Sequence, residues 1–174
     1  MRWLEAALAL NVVLGCATAT PSASPVTAAS PTNEPTSTAP AGPGLCAIFT
    51  PDLAVAALSG PVDEPTAGVE GTENYCHYAA AAGADSRVEA YLVAATRADC
   101  EETANFLGII THPIAGVGEV AWHMDRSQLG DYDAFVLAWA EDRCIRVFIK
   151  SNGDQAALLH SADAIAANVL NRAR

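Results

Sequence analysis

Four histidines, His77, His112, His123 and His160, are the groups in this chain best suited to acid–base or metal chemistry near neutral pH. His77 and His123 fall in stretches that read as strands, so they could form a metal or acid–base pair only if those strands are neighbours. Taken singly, each reads as a half-buried histidine with a backbone partner. His160-Ser161 with Asp163 supplies the residue types of a catalytic triad. All three fall on one helix, however, where side chains at these spacings diverge. Ser161 also lacks the sharp strand-to-helix elbow that exposes a nucleophile. Gly116-Val117-Gly118 is a lone glycine pair ahead of a strand, too little for a phosphate loop. Glu101-Glu102 would need a facing acid to act as a carboxylate pair, and at a helix start they favour the dipole instead. No catalytic residue, metal ligand or cofactor is expected.

The aromatic residues are better candidates for binding than for catalysis. Trp122 and Trp139 lie in predicted strands, where such side chains more often build the core than line a groove. If the sheet has an uncovered face, Trp122, Trp139 and Tyr91 are the candidate ligand-binding residues on it.

The elements that must position these groups follow from the pattern of the last 130 or so residues, Leu45 to Arg174, enough for one core. Thr50-Pro51-Asp52-Leu53 opens a helix with a threonine N-cap and proline at the first position. Leu53, Ala57 and Leu58 share a face, and Gly60 is the expected stop. Pro61 to Thr72 is rich in turn residues and reads as loop. Asn74 to Ala80 and Arg87 to Thr96 alternate as paired strands around Gly83-Ala84-Asp85. Asp99 to Leu107 suits a helix capped by Asp99 with Glu102 three residues on, and Cys100, Ala104 and Leu107 form its stripe. His112 to Gly118 reads as loop, followed by a strand at Val120 to Met124. Tyr132 to Ala140 and Arg143 to Lys150 form a hairpin turning at Glu141-Asp142, and Asp154 caps a final helix that buries Leu158, Ala162, Ile165 and Val169. The order is α-β-β-α-β-β-β-α. It predicts a single small α+β domain with helices packed on an antiparallel sheet.

Apart from Cys16, this domain holds Cys46, Cys76, Cys100 and Cys144. An even number in a small exported domain predicts two disulfides, with three pairings open. Cys46–Cys76 would pin the first helix to the first strand, and Cys100–Cys144 would then join the second helix to the last strand. Strict alternation puts Cys144 on the side of Arg146 and Lys150, away from Ile145, Val147 and Ile149. That places Cys144 at the strand's frayed start. The spacings lack the close ligand pairs of a zinc site.

The N-terminus sets the expected location. Met1 to Gly15 reads MRWLEAALALNVVLG, a single arginine followed by an apolar stretch too short to span a bilayer. Val13-Leu14-Gly15-Cys16 resembles the lipobox of bacterial lipoproteins, in which the signal is cut before a diacylglycerol-modified cysteine. Val13 and Leu14 stand where lipoboxes usually place leucine and a small residue. Ala17 to Gly44 contains six of the chain's ten prolines and almost no large apolar residue. Such a segment cannot bury enough surface to fold, and it reads as a disordered tether reaching on the order of 80 Å. The expected organisation is a signal over 1–15, a lipidated Cys16 and tether over 16–44, and a disulfide-bonded domain over 45–174. Lipid at Cys16, palmitate included, would hold the protein at the membrane on its extracytoplasmic side. The net charge of -11 and sequence pI of about 4.5 argue against nucleic acid and anionic headgroups as partners. The expected partners are the membrane, through the anchor, and an envelope protein or small ligand.

A family resemblance adds to this. An opening helix with a cysteine (Cys46 to Gly60), a second cysteine beside an aromatic (Cys76-His77-Tyr78) and Gly-Val-Gly-Glu-x-Ala-Trp (Gly116 to Trp122) come in order. A hydrophobic hairpin and a terminal helix follow. Together they resemble the actinobacterial lipoproteins that carry the domain of unknown function 3558. That family usually has tryptophan at the place of Tyr78. The resemblance implies an extracytoplasmic lipoprotein and a Cys46–Cys76 bridge, and it brings no catalytic residues. The function expected is a non-enzymatic binding, sensing or scaffold module of the cell envelope. The alternatives are a carrier of a lipid or other apolar ligand, and an envelope hydrolase.

Overall fold

A computed structural model describes residues 44–81, 85–106, 112–124 and 129–173. Proline at the first helical position sets the start of the longer of two opening helices. α1 is a single turn, Leu45–Ile48, and α2 spans Pro51–Leu58 behind Thr50, whose side chain makes no capping bond. The helix ends at Leu58 and is capped by Ser59, one residue before the glycine expected to stop it. Ser59 takes the left-handed conformation at φ 54°, and the Gly60 amide donates back to the Val55 carbonyl at 3.3 Å.

The strands β1 (Thr66–Glu70), β2 (Glu73–Ala79) and β3 (Arg87–Ala94) form one antiparallel meander. β4 (His112–Ile114), β5 (Val120–His123), β6 (Ala134–Ala140) and β7 (Arg143–Lys150) form a second. Pairing of β3 with β7 joins them into one sheet in the order β1-β2-β3-β7-β6-β5-β4. α3 (Arg97–Phe106) leads from the first meander to the second, and α4 (Gln155–Arg172) closes the domain. The architecture is α+β with a wholly antiparallel sheet.

Two strands replace segments expected to be loop. β1 is an edge strand exposed at every residue but Gly68, so it buries no alternating apolar set that a sequence pattern could register. It turns into β2 through Gly71 at φ +61°. β4 is the opposite edge and contains Pro113, a residue without an N–H that a sheet accepts only where no further strand pairs.

α1, α2 and α4 pack on one face. The core there joins Cys76, Tyr78, Val88, Leu92, Ile145, Val147 and Ile149 of the sheet to Leu158, Ile165 and Val169 of α4, all buried. Asp154 caps α4 as expected, its carboxylate accepting from the Ala157 amide at 3.1 Å. Tyr78 ties the opening helices to the sheet. Its hydroxyl donates to the Phe49 carbonyl at 3.0 Å, and its ring meets Phe49 edge-on at 5.0 Å.

Among the described helices α3 alone packs on the other face, over β6 and β7. There Cys100, Ala104, Trp122, Met124, Leu129, Phe135, Leu137 and Cys144 form a second, smaller core. Cys144 is therefore not frayed. It stands in register between Val93 and Trp139, and α3 makes its side of the sheet apolar. The cap of α3 also differs from expectation. Thr96 and Asp99 form a reciprocal box: the Thr96 hydroxyl accepts from the Asp99 amide, and the Asp99 carboxylate accepts from the Thr96 amide. Leu107, the last residue of the expected stripe, and the Gly83-Ala84 turn lie outside the described residues. The two bridges are Cys46–Cys76, with sulfurs 1.96 Å apart, and Cys100–Cys144, at 2.00 Å. Among the described residues no helix is long and apolar enough to cross a membrane.

Candidate functional site

Among the described helices only α3 packs on this face, toward β6 and β7, and none covers the β1–β2–β3 side with the adjoining part of β7. The residues that project there occupy alternate positions of each strand. They are Glu73, Tyr75 and His77 from β2, Arg87, Glu89 and Tyr91 from β3, and Arg146, Phe148 and Lys150 from β7. Register sets Tyr75, Tyr91 and Arg146 in one row, and His77, Glu89 and Phe148 in the next.

Glu89 organises this surface. It is the one buried charged residue among those described, at 7% exposure. One carboxylate oxygen accepts from Arg87 Nε at 2.7 Å, the other from the hydroxyls of Tyr91 at 3.1 Å and Tyr132 at 3.0 Å. Arg87 also donates to the Tyr132 hydroxyl and lies 4.9 Å from the centre of its ring. One row away, Arg146 pairs with Glu73 and lies 5.1 Å from the Tyr91 ring. Lys150 pairs with Asp85. Burial, then the nearby Glu89 charge, pushes the Tyr91 hydroxyl well above its ordinary pKa, and burial raises Tyr132 as well.

Rings fill the space between the charged pairs. Tyr75 and His77 lie 4.8 Å apart, His77 and Tyr91 5.2 Å, and Tyr91 and Phe148 6.0 Å. Tyr132 and Phe135 extend the cluster from Phe148. Tyr75 lies across β1 because its register partner is Gly68, where a Cβ would fall 2.5 Å from the phenol oxygen.

His77 Nε2 is buried and has no hydrogen-bond partner among the described residues. Burial holds its imidazole below the usual pKa of 6.5, with the Glu89 charge opposing. The folded protein thus keeps His77 neutral in a range where the unfolded chain takes up a proton. Its contribution to stability is complete above pH 6.5 and falls as pH decreases below that value. An NMR titration of His77 should show a midpoint under 6.5, and His77→Phe should flatten the acid-side loss of stability. A midpoint at or above 6.5 would contradict this.

The other candidate groups are dispersed. Three strands separate His77 from His123, so the two histidines do not meet. His123 lies against α4, with Nε2 2.7 Å from Asp163 Oδ1, and it takes the carboxylate that a triad with Ser161 would need. The Ser161 hydroxyl bonds back to the Ala157 carbonyl. Gly118 is required by packing. Its φ is +59°, and a Cβ would approach the Trp139 carbonyl oxygen to 2.6 Å. Glu101 pairs with Arg97 on the same helix. Among the described residues no cluster of His, Cys, Asp and Glu is placed to hold a metal.

Of the expected ligand-binding residues, Tyr91 belongs to the open face. Trp122 and Trp139 share its side of the sheet but pack into the core beneath α3, and the Trp139 indole donates to the Ala95 carbonyl at 3.0 Å. A cleft lined by Glu101, Ala104, Asn105 and Trp122 runs beside α3. Sequence reasoning did not single out Glu89, Tyr75, Tyr132, Arg146 or Phe148. The available signal was the alternation Arg87-x-Glu89-x-Tyr91, in which one face of a strand carries large charged and aromatic side chains only. No family model matches the chain, and neither does any curated protein or solved structure.

Proposed function

We propose that this protein is a lipid-anchored extracytoplasmic binding module whose contact surface is the open aromatic face of β2, β3 and β7. The observation that carries the reading is the buried Glu89, which holds Arg87, Tyr91 and Tyr132 in place on a sheet face that none of the described helices covers. A surface prearranged in this way loses little side-chain entropy on binding. The groups best suited to catalysis are engaged structurally, which favours binding over turnover. His123 is paired with Asp163, Ser161 with its own helix, and Glu89 accepts from three donors.

The location rests on the Cys16 motif, the proline-rich segment after it, and the resemblance to lipoproteins carrying the domain of unknown function 3558. Two disulfides fit an oxidising compartment. A diacylated cysteine with a third acyl chain would hold the chain firmly, since one chain alone is marginal.

Intact mass of the protein purified from membranes, with and without reductant, tests this. The expected species begins at Cys16, carries the mass of a lipid, and gains four hydrogens when its two bridges are reduced. A soluble, unlipidated chain with free thiols would overturn the reading.

A further inference from the structure

We propose that the open face binds a neutral, polyhydroxylated chain: a glycan without ionised groups. This deepens the reading above and rests on it. Two properties of the face select that chemistry, its rings and its charge balance.

The rings form a strip across the strands. Tyr75 reaches over the edge strand β1, His77 lies beside it, and Tyr91 and Phe148 continue the strip to β7. All four are half-buried. An aromatic face is the negative end of a ring quadrupole, and the C–H groups on one side of a sugar ring are its complement. The ring centres follow one another at 4.8, 5.2 and 6.0 Å along the strip, each step close to the dimension of a sugar ring.

The charges cancel in pairs. Arg87 with Glu89, Arg146 with Glu73, and Lys150 with Asp85 place three cations against three anions. Among the described residues, Glu70, beyond Glu73 at the corner of β1, adds one further negative charge on this side. An ionic ligand would have to break one of these pairs to be bound, at a cost in both charges. Hydroxyl groups need donors and acceptors together, and a guanidinium–carboxylate pair offers both without being broken. Arg146 and Arg87 also lie against the Tyr91 and Tyr132 rings, which keeps their planar donors at the borders of the strip. A purely apolar partner would leave these pairs to be desolvated without compensation.

Affinity electrophoresis of the full chain, through gels containing soluble mannan, galactan, arabinan or β-glucan, tests the proposal. Heparin and a polyphosphate serve as charged comparisons. Retardation by at least one neutral polysaccharide is expected. Tyr75→Ala should weaken it by about tenfold, the scale of one lost ring contact. Tyr75→Phe, which keeps the ring, should retain it. Phe106→Ala, at a residue 88% exposed at the end of α3, should leave it unchanged. Thermal unfolding of each variant separates lost binding from lost fold. Retardation by the charged polymers alone, sensitive to Tyr75→Ala, would overturn the neutral-glycan assignment while keeping the face as the binding surface. Retardation insensitive to Tyr75→Ala, or none by any polymer, would overturn both.

Discussion

Replacing Cys100 and Cys144 by alanine is expected to free α3 from the sheet before the rest of the domain unfolds. Among the described residues α3 buries only Cys100 and Ala104, so one of its two anchors is the bridge itself. The remaining contacts, chiefly Ala104 against Trp122 and its neighbours, offer little area to hold a ten-residue helix. Release of α3 would uncover Trp122, Phe135 and Leu137, the floor of the second core. The bridge spans 44 residues, and loop-closure entropy for that length corresponds to about 4 kcal/mol. The expected result is strong binding of a hydrophobic dye below the main urea transition, together with an early phase in tryptophan fluorescence.

Replacing Cys46 and Cys76 should act differently. That bridge spans 30 residues and is worth about 3.5 kcal/mol on the same basis, but Cys76 sits at the centre of the main core. α1 and α2 are also held by the Tyr78 and Phe49 contacts and by α4. Its loss should therefore lower the midpoint of the whole cooperative transition without a separate early phase. Domains of this size commonly have 5 to 15 kcal/mol in total, so removal of both bridges should leave the fold marginal at about 37 °C. A change under about 1 kcal/mol in either variant would show that the bridge closes no constrained loop.

The contrast between the two bridges reflects which parts of the molecule could be read in the sequence. α4 and the β6–β7 hairpin bury regular apolar sets, Leu158, Ala162, Ile165 and Val169 in one and Ile145, Val147 and Ile149 in the other. Their periodicity is therefore the imprint of a core. β1 buries almost nothing and is held by backbone pairing, which is nearly independent of side-chain type. Cys144 departs from the expected frayed position for a related reason. Alternation assigns residues to two faces but not which face is covered, and a single short helix makes the second face apolar at one end and open at the other. The same limit hid the candidate site. Tyr91 was recognisable as a strand aromatic, but Tyr132 and Arg87 meet at Glu89 only because β3 is seated beside β7, a long-range pairing with no local signature.

Glu89→Ala is expected to be the most damaging single substitution on the open face, costing about 2 to 3 kcal/mol. Removal of one partner from a buried charged cluster typically costs about 3 to 5 kcal/mol. Solvent reaches Arg87, which is about one-third exposed, and that reduces the penalty. Glu89→Gln keeps the shape and one acceptor and should cost less than half as much, since a tyrosine hydroxyl can accept from the new amide. The two variants also differ in alkali. The folded protein holds the Tyr91 and Tyr132 protons above the ordinary pKa of 10.0, where unfolded tyrosines release theirs. The unfolded state then binds fewer protons, so stability is complete below pH 10 and declines as pH rises beyond it. Part of the Tyr91 shift comes from the Glu89 charge. Glu89→Gln should therefore bring tyrosinate absorbance on at lower pH in the folded protein and make the alkaline loss of stability shallower. Equal tyrosine titration in the wild type and Glu89→Gln would mean that the Glu89 charge does not contribute to holding these protons.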